Sequence, residues 1–196
     1  MRIAVIGTGK IGGTLGRAWA GAGHQVTFGS RHPGGTSVAT DTGAAVTDIG
    51  DALDAAEVVL LALPGRSVGE LLTEHAARLD GNLVIDATNQ VGAAGANAAA
   101  AIAAAAPAAR YVRAFNTLGW ENFAQPLFDG VPADLFFSAP ASDRSVVEQL
   151  ISDVGLRPAY LGDGRQDVVD GVLPLWLTLV QVRGGNRHLA FRILER

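Results

Sequence analysis

Six residues between an apolar run and a helical pattern constrain this chain more than anything else in it. Ile3-Ala4-Val5-Ile6 leads into Gly7-Thr8-Gly9-Lys10-Ile11-Gly12, which fits G-x-G-x-x-G, and an amphipathic stretch follows at residues 11–22. Gly7 permits the tight turn, Gly9 lets the main chain approach a pyrophosphate, and Gly12 allows the helix to pack closely on the strand. The free N–H groups of the first turn and the positive end of the helix dipole then point at the phosphates. Thr8, Lys10 and Ile11 complete this candidate phosphate loop, with Lys10 meeting solvent or phosphate.

Beyond the turn, strand and helix signals alternate. Short apolar runs read as buried parallel strands at residues 2–6, 25–29, 58–63, 83–87 and 111–115, with a weaker one at 44–47. Helical patterns lie between them at 11–22, 49–56, 67–79 and 94–106; Asp48 is placed to cap the second and Ser67 the third. After Pro126 come a strand at 134–138, a helix at 144–154, a strand at 157–161, a helix at 167–182 and a coda at 187–194. This pattern predicts an α/β fold: a Rossmann-type, doubly wound, mostly parallel sheet over residues 1–165, with a short helical C-terminal segment at 166–196.

Composition narrows the chemistry. The net charge of −4 gives neither nucleic acid nor a membrane surface a favourable field, so an anionic ligand must be held by local donors. No cysteine is present, which removes thiol nucleophiles and Cys-ligated metals, and His24, His32, His75 and His188 show no metal-ligand spacing. Lys10 is the one lysine, and tyrosine occurs only at Tyr111 and Tyr160, so side chains suited to proton transfer are few. No apolar run reaches the roughly 20 residues of a spanning helix, and a cytoplasmic setting is expected.

The end of the second strand speaks to which dinucleotide. NAD-binding versions place a carboxylate about 20 residues past the glycines, on the ribose 2′-hydroxyl. Here Phe28-Gly29 runs into Ser30-Arg31-His32, and the first acidic residue after the loop is Asp41. A serine hydroxyl and a guanidinium suit a 2′-phosphate, so NADP(H) is expected rather than NAD(H).

At these residues the chain resembles a known family, the NADP oxidoreductases that use the deazaflavin coenzyme F420. The resemblance rests on Val5-Ile6-Gly7-Thr8-Gly9 with Ile11-Gly12, on Gly29-Ser30-Arg31, on Asp86-Ala87-Thr88-Asn89, on Val112-Arg113-Ala114-Phe115-Asn116-Thr117, and on Leu189-Ala190-Phe191-Arg192-Ile193-Leu194. It implies that Thr8, Ser30 and Arg31 hold the adenosine phosphate. It also implies that the deazaflavin lies over the nicotinamide at the carboxyl edge of the sheet, against the C-terminal segment. Two departures stand out. Pro33-Gly34-Gly35 replaces a further basic residue, leaving His32 as a partial substitute, and Gln90 replaces the usual proline after Thr-Asn.

Other candidates follow strands. Leu63, Pro64 and Arg66 succeed the run at 58–63, Thr88 and Asn89 the next, and Asn116 the last; such positions meet ligands in open α/β sheets. The two asparagine amides suit either a carboxamide or deazaflavin contact or the capping of turns. Arg66 either reaches a cofactor or is solvated. Trp120 is a candidate pocket wall, Trp176 belongs to core or a dimer interface, and His188 is a possible acid that fits a structural role better. No residue stands out as a catalytic acid or base. The expected function is hydride transfer between NADP(H) and F420, governed by positioning. The alternatives are an NADPH-dependent reductase of a flavin, quinone, imine or ketone, or a non-catalytic NADPH sensor. The apolar stretch at 172–180 suggests a homodimer.

Overall fold

A computed structural model describes residues 1–35, 43–90 and 97–196 of the chain. Six parallel strands form the main sheet: β1 (Arg2–Ile6), β2 (Gln25–Gly29), β3 (Ala45–Thr47), β4 (Val58–Leu61), β5 (Leu83–Asp86) and β6 (Arg110–Arg113), in the order β3-β2-β1-β4-β5-β6. The chain winds outward from β1 to one edge, then returns to β4 and winds to the other. The crevice between the two halves opens at the carboxyl end of β1, where the glycine turn lies.

Alternation along the strands builds two apolar layers. Val5, Leu60, Ile85 and Val112 face one side with Leu15 and Trp19 of α1 (Lys10–Gly21). Ala4, Ile6, Val59, Leu61 and Val84 face the other. There they meet Leu53 of α2 (Ile49–Asp54), Leu71, Leu72 and Leu79 of α3 (Val68–Leu79) and Ile102 of α4 (Ala99–Ala105). The part of the predicted 94–106 helix before residue 97 lies outside the described residues, as does Asp41.

Asp48 caps α2, its carboxylate accepting from the Asp51 N–H at 2.9 Å. Ser67 does not cap α3. A 3-10 turn, Gly65–Ser67, precedes that helix and holds Ser67 at φ −90°, ψ −4°, near helical geometry. Its hydroxyl is not set across the first turn as an extended N-cap residue would set it. The strands β4, β5 and β6 stop short of the predicted 63, 87 and 115, and the released residues form the loops of the carboxyl edge.

The second half adds α5 (Trp120–Ala124), a hairpin of β7 (Leu127–Phe128) and β8 (Val131–Pro132), β9 (Asp134–Phe137), α6 (Arg144–Asp153), β10 (Arg157–Tyr160) and α7 (Gln166–Val182). The hairpin turns through Asp129 and Gly130, both at positive φ, the Asp-Gly signature of a two-residue turn. β9 and β10 are parallel, while Ser138 and Arg113 bridge antiparallel, so β9 lies beside β6 with opposite sense. The Trp19 indole N–H donates to the Leu150 carbonyl at 2.9 Å and fastens α1 to α6.

The coda is strapped to Asp134. The Asp134 N–H donates to the Phe191 carbonyl at 2.9 Å, and the carboxylate accepts from the Ile193 N–H at 2.5 Å and from two Arg157 nitrogens at 2.5 and 2.7 Å. Burial raises the Asp134 pKa, but the hydrogen bonds from Arg157 and Ile193 and the charges of Arg157 and Arg192 outweigh it, leaving the carboxyl below its ordinary value. A depressed folded-state pKa contributes stability above the unfolded value of about 3.9, lost as pH falls through the folded value. Asp134→Asn should therefore lower Tm at neutral pH and flatten the acid limb of the Tm profile below about pH 4. An unchanged acid limb would remove Asp134 from the account.

Candidate cofactor site

The glycine turn is shaped by contacts that exclude side chains. Gly7 adopts φ +114°, and a Cβ there would lie 2.4 Å from the Ala62 carbonyl oxygen. A Cβ on Gly12 would lie 2.0 Å from the Gly7 carbonyl oxygen, so α1 can start this close to β1 only without one. At Gly9 the situation reverses: a Cβ would meet nothing within 4 Å. No side chain caps α1 and no acidic residue occupies its first turn, which leaves its N-terminal donors for an anion.

A cleft of about 290 Å³ opens from this turn. Gly7, Thr8 and Gly9 form one end, Gly29, Ser30, Arg31 and His32 one flank, and Ala62, Leu63 and Pro64 the other. The far wall is α3, which contributes Leu71, Glu70, Glu74 and His75, with Ser67 just before it. Arg31 Nη1 lies 3.5 Å from Glu70 Oε2 across the cleft, and the Ser30 hydroxyl accepts from the His32 N–H at 3.1 Å. Glu70, Leu71, Glu74 and His75 belong to no cofactor motif in the sequence. Their signal is the spacing of neighbouring turns of one helix, legible once the face of α3 toward the glycine turn is known.

At the other end of the carboxyl edge lies a buried polar hub. The Arg113 guanidinium, fully buried, donates to Asp170 Oδ1 at 2.7 Å, to the carbonyls of Asp86 and Thr88 at 2.9 and 2.7 Å, and to Asn89 Oδ1 at 3.1 Å. Asp170, on α7, also accepts from the amides of Asn116 and Asn97 at 3.1 and 2.6 Å. Asp86 accepts from the Thr88 N–H and hydroxyl, the Ala98 N–H and the Tyr111 hydroxyl at 2.7–2.9 Å. Burial, then the Asp86 charge, pushes the Tyr111 pKa far above its ordinary value. Phe115 takes the left-handed φ of 61° beside this hub, and edge-to-face contacts with Trp19 and Phe123 hold its ring. That conformation costs a non-glycine residue on the order of 1 kcal/mol or more.

Residues 2–90 match the sequence profile described as NADP oxidoreductase, coenzyme F420-dependent. Over these residues the chain belongs to that family. Its members are NADP-dependent oxidoreductases, and the matched residues carry the glycine turn, the Ser30-Arg31 flank and the start of the hub. A proposed F420-dependent NADP reductase from Arthrobacter sp. FB24 superposes over 100% of both chains with a TM-score of 0.87 at 25% identity. A hypothetical protein from Sinorhizobium meliloti is 30% identical, with a TM-score of 0.70 over 83% of this chain and 85% of its own. A reductive aminase from Aspergillus terreus, solved with NADPH and ethyl levulinate, shares the fold: TM-score 0.73, 19% identity, 94% of this chain and 62% of that one.

Within this family member, the sequence candidates divide between the cleft and the hub. Gly7, Thr8, Gly9, Ser30, Arg31, His32, Leu63 and Pro64 line the cleft. Lys10, Ile11 and Gly12 open α1; the Lys10 ammonium lies 4.6 Å from the centre of the Trp120 ring, which joins the glycine turn to α5 by a cation–π contact. Thr88, Asn89 and Asn116 belong to the hub. The Thr88 hydroxyl donates to Asp86, and the Asn89 amide donates to the Asn116 carbonyl at 3.1 Å, while Asn116 Oδ1 is buried without a partner. Gln90 donates to the Gly65 carbonyl at 3.3 Å, a tether to the turn holding Arg66. His188 lies exposed on the coda, its N–H donating to Asn186, away from the cleft. Trp176 is core, its indole N–H donating to the Leu189 carbonyl at 2.7 Å.

Proposed function

We propose that this protein transfers a hydride between NADP(H) and coenzyme F420, with NADP(H) in the cleft and the deazaflavin at the carboxyl edge beside Trp120 and α7. The carrying observation is the cleft itself, with an uncapped helix start at one end and Ser30 and Arg31 on its flank. The space a Gly9 Cβ would fill fits a pyrophosphate, and Arg31 with the Ser30 hydroxyl fits the 2′-phosphate. Bound NADPH supplies the hydride. The chain's part is to orient: Thr8 and the first turn of α1 hold the phosphates, Pro64 and the Gln90–Gly65 tether fix the two loops flanking the nicotinamide, and Trp120 closes the side toward α5.

The disposition of proton donors supports an acceptor that needs little side-chain acid. Tyr111 donates to Asp86, Tyr160 donates to the Ala139 carbonyl at 3.0 Å, and Lys10 sits over Trp120. A ketone or imine asks for a donor beside the reacting atom, and both tyrosine hydroxyls are already given to protein acceptors. A deazaflavin spreads the charge it acquires into its pyrimidine ring, where backbone donors suffice. On mixing the protein with NADPH and oxidised F420, the deazaflavin absorbance should bleach. A screen showing no bleaching but turnover on an imine or ketone would transfer the assignment to that acceptor.

The cofactor preference is tested in the same assay. Arg31→Ala should raise KM for NADPH about tenfold or more and leave NADH use nearly unchanged, since a charged hydrogen bond is worth about 1.5–3 kcal/mol. Equal losses for both cofactors would refute the 2′-phosphate assignment. Val168, Leu175 and Val182 are exposed at heptad spacing on α7 and support a homodimer through that helix, which sedimentation would read.

A further inference from the structure

Glu70 stands where a plain 2′-phosphate site would not want it. It lines the same cleft as Ser30 and Arg31, with Glu74 one helical turn further along α3 on the same wall. A phosphate monoester brings a charge of about −1.5 to −2, and the wall of this cleft carries two acidic residues. The contact that relieves the first is the Arg31–Glu70 pair at 3.5 Å, with side chains 67% and 58% exposed. A pair this open is weak, screened by salt and readily exchanged.

We propose that Glu70 is a counter-ion latch. It holds the Arg31 guanidinium across the cleft, competes for it with the 2′-phosphate of the incoming dinucleotide, and so sets how strongly the protein prefers NADPH to NADH. The inference rests on the assignment of Arg31 to the 2′-phosphate. The chemistry of exchange is one-sided. A phosphate can take two parallel N–H bonds from a guanidinium, where Glu70 has one long contact, so NADPH opens the latch. NADH presents only a 2′-hydroxyl and leaves it closed. Glu70 is thus a positioning residue that subtracts from NADPH affinity alone, and its effect must vanish when Arg31 is absent.

The test is a double-mutant cycle on the intact protein. Glu70→Gln should lower KM for NADPH, and Kd for 2′,5′-ADP, about two- to fivefold, as expected for one exposed ion pair. KM for NADH, which brings no 2′-phosphate, should change by less than half as much as KM for NADPH. The gain should disappear in the Arg31→Ala background and shrink as salt rises from about 0.05 to 0.5 M. Glu74→Gln, without a contact to Arg31, should give less than half the gain. An unchanged NADPH KM in Glu70→Gln, or a gain that survives Arg31→Ala, overturns the latch while leaving the cofactor assignment standing. A wild-type protein that binds 2′,5′-ADP no better than 5′-ADP overturns both.

Discussion

Gly9→Val is expected to abolish dinucleotide binding and leave the protein folded. Gly9 is extended, at φ −72° and ψ −170°, a conformation any residue adopts, and its Cβ would enter open space. In the ligand-free protein the only loss is a poorer N-cap, about 1 kcal/mol, or roughly 2–4 °C in Tm for a chain of this size. In the complex the isopropyl group occupies the ground a pyrophosphate needs, and affinity should fall at least about a hundredfold, the scale of several lost charge-assisted hydrogen bonds. Gly12→Ala is the contrasting variant. Its Cβ collides with the Gly7 carbonyl, so binding and Tm should fall together. Titration calorimetry with NADPH beside thermal melts separates the two. If Gly9→Val bound NADPH normally, the glycine turn would not be where the phosphates lie.

Asp170→Ala should strongly destabilise the protein. It leaves the fully buried Arg113 guanidinium without its closest carboxylate, and it frees the amides of Asn97 and Asn116. Breaking one side of a buried ion pair costs about 3–5 kcal/mol, which lowers Tm by on the order of 10 °C in a domain of this length. Asp167→Ala, at an exposed position in the first turn of the same helix, should stay within about 0.5 kcal/mol of wild type. A small loss at Asp170 would mean that Asp86 and the backbone carbonyls satisfy Arg113 unaided.

The features legible in the sequence are the local ones. The apolar runs that became β1 and β2, the glycine turn between strand and helix, and the Asp48 cap each depend on residues within a few positions of one another. Ser67 misleads because the preceding Gly65 and Arg66 form a 3-10 turn, which the serine-before-helix pattern does not encode. The hub was hidden for a different reason. Arg113 sits inside one quoted motif and Asp86 inside another, but Asp170 lies 57 residues beyond Arg113 with nothing local to mark it. Thr88 and Asn89 read as cofactor contacts or turn caps from those motifs, and in the structure both also bond within the hub. Glu70 is silent in the sequence for the opposite reason: an acidic residue in a first helical turn is so ordinary that only the tertiary placement of Arg31 gives it meaning.

The separation between Arg113 and its carboxylate has a consequence for biosynthesis. A ribosome adding about 5–20 residues per second needs roughly 3–11 s to travel from Arg113 to Asp170. During that interval the six strands of the main sheet have all been made, with Asp86 beside the guanidinium, yet the second carboxylate of the hub has not. The hub at the carboxyl edge is complete only once α7 has been made. Translational pausing between β9 and α7 would prolong a state in which β9 already covers β6 but the hub still lacks Asp170.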